Sequence, residues 1–270
     1  MSSEYFSLIS DVRSHRPLVH NITNFVVMNF TANALLAVGA SPIMAHAIEE
    51  IEEMVNLANA VVLNIGTLSN SWIPSMQQAA QHAKNRGIPL ILDPVGAGAT
   101  QLRTHTAIAL IESGAPLIIR GNASEICALA NEDVKTRGVD SLLASDQAIA
   151  AAQLLAERYQ SIVVVSGAVD HIIDTQYHVE VHNGHGIMSQ VTGMGCVATA
   201  LLGAFAAVSP DRFTAAVATM TVMGVAGESA AKQAAGPGTF VPIFIDTLAT
   251  ISSDVLATQA HIVTSTHITN

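Results

Sequence analysis

The chain has 270 residues, of which 50% are hydrophobic and only 12% charged; 21 acidic against 11 basic side chains give a formal net charge of −10. That length accommodates one large α/β domain or two smaller ones with a substantial core, and the acidic balance argues against nucleic acid, whose binders present a basic face. Two cysteines far apart, Cys127 and Cys196, exclude a disulfide framework and a paired-cysteine zinc site, so a reducing cytoplasm is the expected setting.

The low charge raises the question of a membrane. Residues 17–48 carry no Asp, Glu, Lys or Arg, but they include His20, His46, two prolines and Asn21, Asn24, Asn29 and Asn33. A spanning helix does not tolerate that polar load over its ~20 residues. Residues 191–209 are also uncharged but begin with a glycine turn. Both stretches read as buried in protein, and residues 1–5 show no basic run ahead of an apolar one, so no secretory leader is expected.

In chain order, residues 3–14 read as an amphipathic helix and 17–20 as an extended entry into an Asn-rich helix over 23–38, stopped by Gly39. Asn24 stands at the start of that helix, where an Asn can cap; if buried it must be hydrogen-bonded, either in a network holding the helix to a neighbour or partner subunit or, with Asn21, to a polar heteroaromatic ligand. Asn29 and Asn33, four apart, share a face and read as structural. A short strand at 41–45, a helix over 49–59 and an apolar strand at 60–65 follow. The pattern then repeats: helix 71–86 closed by Gly87, strand 88–93, helix 101–113, strand 115–120 and a helix opening at Asn122. Residues 131–145 read as loop-rich, 146–159 as helix and 161–166 as strand.

Strands that are apolar throughout and alternate with helices indicate a mostly parallel sheet covered on both faces. Residues 170–189 break the alternation and read as hairpins at the sheet edge. The chain after Gly195 reads as helical to about Ser253, with roughly the last 15 residues expected to be a loose tail. No repeat, linker or low-complexity segment divides residues 1–270, which read as one domain.

The chemistry gathers at strand ends, where open α/β sheets bind ligands. Asp93, Arg120 to Glu125, and Ser166 follow three strands; Met44 and Asn64 to Thr67 end two more. Ahead of the apolar run 197–205 stands Gly193-Met194-Gly195-Cys196. The first turn of a helix has unpaired N–H groups and favours negative charge, so this turn reads as an anion hole, with the thiolate of Cys196 favoured by the same field. Taken alone, Gly-x-Gly before a helix is more often plain helix–sheet packing. Asp93 and Glu125 suit Mg²⁺ held with waters and phosphate oxygens, and Arg120 suits phosphate charge; together these are the parts that phosphoryl transfer needs. His171, His178, His182 and His185 cluster ahead of the turn and read first as edge-strand or loop residues, with a metal site as the alternative.

The segments Val19-His-Asn-Ile-Thr-Asn24, Ser41-Pro-Ile-Met44-Ala45, Leu63-Asn-Ile-Gly-Thr67, Asp93-Pro-Val-Gly-Ala-Gly-Ala99, Arg120-Gly-Asn-Ala-Ser-Glu125 and Thr192-Gly-Met-Gly-Cys196 resemble, in order, those of the hydroxyethylthiazole kinases, thiamine-salvage enzymes of the ribokinase-like superfamily. The resemblance covers the chain to about residue 250. It implies a three-layer α/β/α fold, and transfer of the ATP γ-phosphate to the primary alcohol of 4-methyl-5-(2-hydroxyethyl)thiazole with Mg²⁺. It also implies a homotrimer with thiazole pockets near subunit interfaces. By motif, Met44, Asn24 and Gly193 line the thiazole side, Arg120 and Ser166 the ATP side, and Asp93 and Glu125 organise Mg²⁺. Gly193, Met194, Gly195 and Cys196 form the anion hole, and Cys196 stands where sugar kinases of the superfamily carry a catalytic Asp. Met194 departs from the small residue usual between these glycines, and Ser166 replaces a Thr but keeps its hydroxyl. Hydroxymethylpyrimidine kinases are similar at the Cys after Gly-x-Gly, but the Asn-rich segment and Asn-Ile-Gly-Thr favour the thiazole enzymes. A nucleotide-dependent dehydratase on a related fold would carry Asp in place of Cys196. A non-catalytic scaffold would not be expected to hold Asp93, Glu125, Arg120 and Cys196 together.

Overall fold

The apolar runs form the strands of a nine-stranded sheet in the computed structural model, which describes residues 2–113, 117–130 and 141–266. In chain order the strands are β1 (Leu18–Ile22), β2 (Ser41–Ile43), β3 (Ala60–Asn64), β4 (Leu90–Asp93), β5 (Leu117–Asn122), β6 (Ile162–Ser166), β7 (Asp170–Ile173), β8 (Tyr177–Val181) and β9 (Ile262–Thr266). They lie in the order β2-β1-β3-β4-β5-β6-β7-β8-β9. The pairings from β2 through β6 are parallel, and those from β6 through β9 antiparallel.

The period-2 alternation of each strand feeds two cores. Val62, Ile91, Ile118 and Val164 face one side, where helices α1 (Ser2–His15), α2 (Met28–Val38), α8 (Met194–Val208), α9 (Arg212–Ala231), α10 (Pro237–Thr250) and α11 (Ser253–Gln259) pack. Val61, Leu63, Leu90, Leu92, Ile119 and Val163 face the other, against α3 (Ile51–Leu57), α4 (Trp72–Arg86), α5 (Gln101–Glu112), α6 (Ala123–Ala130) and α7 (Ser141–Tyr159). The result is the three-layer α/β/α arrangement expected from the sequence. Helix α8 is buried along nearly its whole length, from Val197 to Ala206, which is why its sequence carries no charge. Among the described residues no single helix is long and apolar enough to cross a membrane; the bent pair α10 and α11 passes on length and composition, but Phe240, Phe244, Leu248 and Leu256 are buried in the first core.

Several boundaries differ from the sequence expectation. The Asn-rich helix begins at Met28 rather than residue 23, because Thr23 and Asn24 are buried, the Asn24 side chain bonds to Asn64, and the chain turns at 25–27. Asn24 therefore caps no helix. The helix expected over 49–59 is a short 3₁₀ turn, Ile48–Glu50, followed by α3. Strand β5 runs on to Asn122, two residues past Arg120; residues 115 and 116, placed in this strand from sequence, lie outside the described residues. Residues 131–140 of the expected loop also lie outside them, but α7 begins at Ser141, since Leu142-Leu143-Ala144 favours helix. The expected loose tail contains an edge strand instead: Ile262–Thr266, rich in β-branched residues, pairs with β8.

Candidate active site

The carboxyl ends of the parallel strands converge on the N-terminus of α8. Five side chains, three at strand ends and two on α8, form one largely buried polar chain. Asn24 donates from Nδ2 to Asn64 Oδ1 at 2.9 Å and to Cys196 Sγ at 3.5 Å. Asn64 donates to Asp93 Oδ2 at 2.8 Å, while its Oδ1 also accepts from the Gly66 amide at 2.9 Å. The Thr199 hydroxyl, one turn beyond Cys196 in α8, lies 2.8 Å from Asp93 Oδ2 and 3.1 Å from the Gly195 carbonyl. An amide left unpaired at such a site costs on the order of 1–3 kcal/mol, so each Asn holds the next in one orientation.

Asp93 is 1% exposed, and its second oxygen, Oδ1, has no hydrogen-bond partner. Arg120 Nη1 stands 3.9 Å from that oxygen, and Arg120 Nε is buried and unpaired as well. Burial pushes the Asp93 carboxyl up to about 6 against the opposing pull of Arg120, with the Glu125 charge adding to the rise. Glu125 closes a capping box on α6: its Oε2 accepts from Asn122 N and its own N–H donates to Asn122 Oδ1, both at 2.9 Å. Its Oε1 accepts from the Gly96 amide, also at 2.9 Å, which ties the loop after β4 to the end of β5. Asp93 thus offers an unused acceptor, whereas each Glu125 oxygen already holds one N–H.

Arg120 lies across the α8 terminus. Its Nη2 donates to Ser166 Oγ. A methyl group on Gly195 would stand 3.0 Å from Cζ and Nη2 of Arg120 and nearer still to Nη1. Gly195→Ala is therefore expected to displace the guanidinium and lower kcat by about 10²-fold with the fold retained; steady-state kinetics beside circular dichroism checks it. Gly193 has φ +90°, a left-handed value that a side chain resists, and an added Cβ would meet Val27 Cγ1 at 2.8 Å. The Met194 side chain is buried in the first core, 7% exposed, which accommodates the bulky residue between the two glycines.

On the far side of this turn lies a cavity of about 580 Å³ lined by Arg120, Ser166, Gly193, Met194 and Gly195, with Asp170 and Met223 among its other walls. Asp93, Glu125, Cys196, Asn24 and Met44 are not in its lining. Asn24, Cys196 and Asp93 instead belong to the polar chain on the other side of the turn. Met44 follows β2, one strand removed from β1, and is half-buried against the first core. Asn21, weighed as a ligand residue from sequence, donates from Nδ2 to the Val19 carbonyl at 2.9 Å. Asn29 and Asn33 bond to each other at 3.1 Å on an exposed helix face.

The thiol of Cys196 differs from expectation. The helix field was expected to favour its thiolate, but burial, with the Asp93 charge adding, raises the group to about 11 despite the bonds from Asn64 and Asn24. At neutral pH it is a thiol. Three participants were not singled out from sequence. Thr199 is a hydroxyl in an otherwise apolar helix and was detectable by that anomaly. Arg103 donates to the carbonyls of Ile65, Val95 and Gly66, fixing the loops after β3 and β4. Asp170, whose Oδ1 accepts from Gly167 N at 3.0 Å, is raised to about 6 by burial; it opens an ordinary-looking hairpin and carries no motif.

A nucleotide-sized cavity, a helix terminus, a half-buried arginine and a buried carboxylate at the strand ends define a phosphotransferase of the ribokinase-like fold. A ribokinase-like superfamily protein from Enterococcus faecalis shares that fold, with a TM-score of 0.64 at 14% identity and 89% of each chain covered. The model of the hydroxyethylthiazole kinase family matches residues 9–254. A hydroxyethylthiazole kinase of Syntrophus aciditrophicus is 53% identical over 259 residues, 96% of each chain. The structure of a hydroxyethylthiazole kinase protein from Pyrococcus horikoshii superposes with a TM-score of 0.90 at 43% identity, covering 97% of this chain and 98% of that one. The chain belongs to the hydroxyethylthiazole kinase family.

Proposed function

We propose that this chain, as a single domain, phosphorylates the primary alcohol of 4-methyl-5-(2-hydroxyethyl)thiazole with ATP and Mg²⁺, in thiamine synthesis or salvage. The observation that carries the reading is the α8 terminus: it stands between the large cavity, walled by Arg120 and Ser166, and the polar chain ending at Cys196. ATP lies in the cavity, its phosphates against Arg120 and the amides of Gly193, Met194, Gly195 and Cys196. The thiazole lies on the other side, lined by Asn24, Met44 and Gly193, with its alcohol at Cys196.

The residues present fit a divalent cation. Asp93 Oδ1, buried and without a hydrogen-bond partner, would hold it, and Glu125 would add its charge through the lone pairs its backbone donors leave over. Bound there, the ion supplies neutralisation of phosphate charge. The chain's own groups do the rest. Arg120, anchored on Ser166, meets the charge of the transferring group, and the N–H groups of the α8 turn stabilise it as it develops. In a loose transition state the acceptor keeps its proton late, passing it to an oxygen of the transferred phosphoryl group as the O–P bond forms, so a neutral Cys196 thiol, itself held by Asn24, orients the alcohol without being a base. The Asn24–Asn64–Asp93 chain keeps the acceptor side in register with the metal side.

A homotrimer working in a reducing cytoplasm completes the reading. Phe25 and Val26, beside Asn24, are more than 60% exposed, an apolar surface that a neighbouring subunit would cover; both cysteines are free thiols. The test is a coupled kinase assay with the thiazole alcohol, ATP and Mg²⁺, run beside hydroxymethylpyrimidine and alongside sedimentation velocity. Turnover with the thiazole alone and a trimer mass is the expected result; turnover of the pyrimidine alone would overturn the substrate assignment.

A further inference from the structure

The antiparallel edge of the sheet carries a second cluster of metal-ligating groups, separate from the polar chain at the α8 terminus. His171 on β7 is in register with Glu180 on β8. His178 is two residues before Glu180 and lies on the same face. His171 Nδ1 is 3.0 Å from His178 Nε2 and 3.9 Å from Glu180 Oε1. One ligand atom from each of the three residues falls within 4.8 Å of the others, and all three residues are half-buried. The other carboxylate oxygen, Oε2, lies 2.9 Å from His182 Nε2, and the His182 ring is 4.9 Å from that of His261.

The geometry points to a Zn²⁺ site formed by His171, His178 and Glu180. Ligand atoms about 2.1 Å from a tetrahedral Zn²⁺ stand about 3.3–3.5 Å apart, within small side-chain rotations of these distances. Two imidazoles and a carboxylate are a donor set suited to this borderline ion. Between the two facing imidazole nitrogens runs a hydrogen bond, so one of them carries a proton; binding moves that proton to the ring's other nitrogen or to solvent and frees both lone pairs. His182 fixes Oε2 of the carboxylate and leaves Oε1 on the side of the two rings, the supporting contact that metal-binding carboxylates need. Water takes the fourth position. The ion ties β7 to β8 just beyond Asp170, which lines the large cavity, so it acts as a structural clip on the strand pair bordering that cavity.

The experiment uses the full chain without a histidine tag, stripped with EDTA and dialysed. Titration with Co²⁺ is expected to give the visible absorption of a tetrahedral nitrogen–oxygen site at one ion per chain, abolished by one equivalent of Zn²⁺. His178→Ala and Glu180→Gln should weaken binding about 100-fold, and His182→Ala about 10-fold. His105→Ala, an exposed helix histidine, should leave it unchanged. The natural chain should gain thermal stability with Zn²⁺ while Glu180→Gln, whose isosteric side chain preserves the strand pair, should not. Absence of the band in the natural chain, or its persistence at one equivalent in a folded His171→Ala/His178→Ala protein, overturns the site.

Discussion

Asp93→Asn is expected to produce a protein that melts higher than the natural chain and phosphorylates almost nothing. Turnover falls because the substitution removes the buried negative charge and its unpaired oxygen, and loss of one preorganised electrostatic group costs about 10²–10³ in kcat. Stability rises because the folded carboxyl, at about 6, lies above its ordinary 3.8. The sign is that of a raised acid. Between those two values the folded state binds more protons than the unfolded one, so stability falls as pH rises, and by neutral pH the fold carries the full cost of an ionised buried carboxylate. Two units correspond to on the order of 3 kcal/mol, or several degrees of melting temperature in a chain of this size. An Asn can still accept from Asn64 and Thr199. Thermal melts in EDTA should therefore show the variant ahead at pH 7.5 and the gap closing towards pH 4. A variant less stable at pH 7.5 would mean that the attraction of Arg120 outweighs burial.

Much of this was legible in the chain because each element follows a local rule. Strands β3 to β6 open on unbroken apolar runs and turn polar only at their carboxyl ends, the pattern of a sheet covered on both faces. Asp93, Arg120 and Ser166 could be placed because they stand at the ends of those runs. What escaped depended on partners remote in sequence. Asn24 reads equally as a network residue or a ligand residue, and its partner Asn64, forty residues on, shows only in the fold. Thr199 and Asp93 meet across 106 residues. Strand β9 reads as a tail because its β-branched residues become a strand only against the free edge of β8. The protonation of Cys196 differs from the sequence expectation for the same reason: the helix field is local and visible in sequence, whereas the burial and the Asp93 charge that oppose it arise from the assembled fold.

Cys196→Ala is expected to lower turnover about 10²-fold with the fold intact, and Cys196→Ser to recover most of that loss. The reasoning rests on protonation. With the group at about 11, the thiolate fraction at pH 7.5 is about one in three thousand, against about one in ten for an ordinary cysteine. Alkylation of Cys196 by iodoacetamide should accordingly be at least about 300-fold slower than that of a free thiol at this pH. What the thiol retains is position: Asn24 holds Sγ, and misplacing a reacting group by about 1 Å costs about 10² in rate. A serine hydroxyl at the same place supplies a neutral group of the same kind. A carboxylate at position 196 tests the opposite view, since it would accept a proton but would share the low-dielectric site with Asp93, each charge raising the other. Folded Cys196→Asp should thus be slower than Cys196→Ser at pH 7.5. If instead Asp matches the natural enzyme while Ser is inactive, and the natural pH–rate profile climbs tenfold per unit through pH 9, Cys196 acts as the base and the positioning role is wrong.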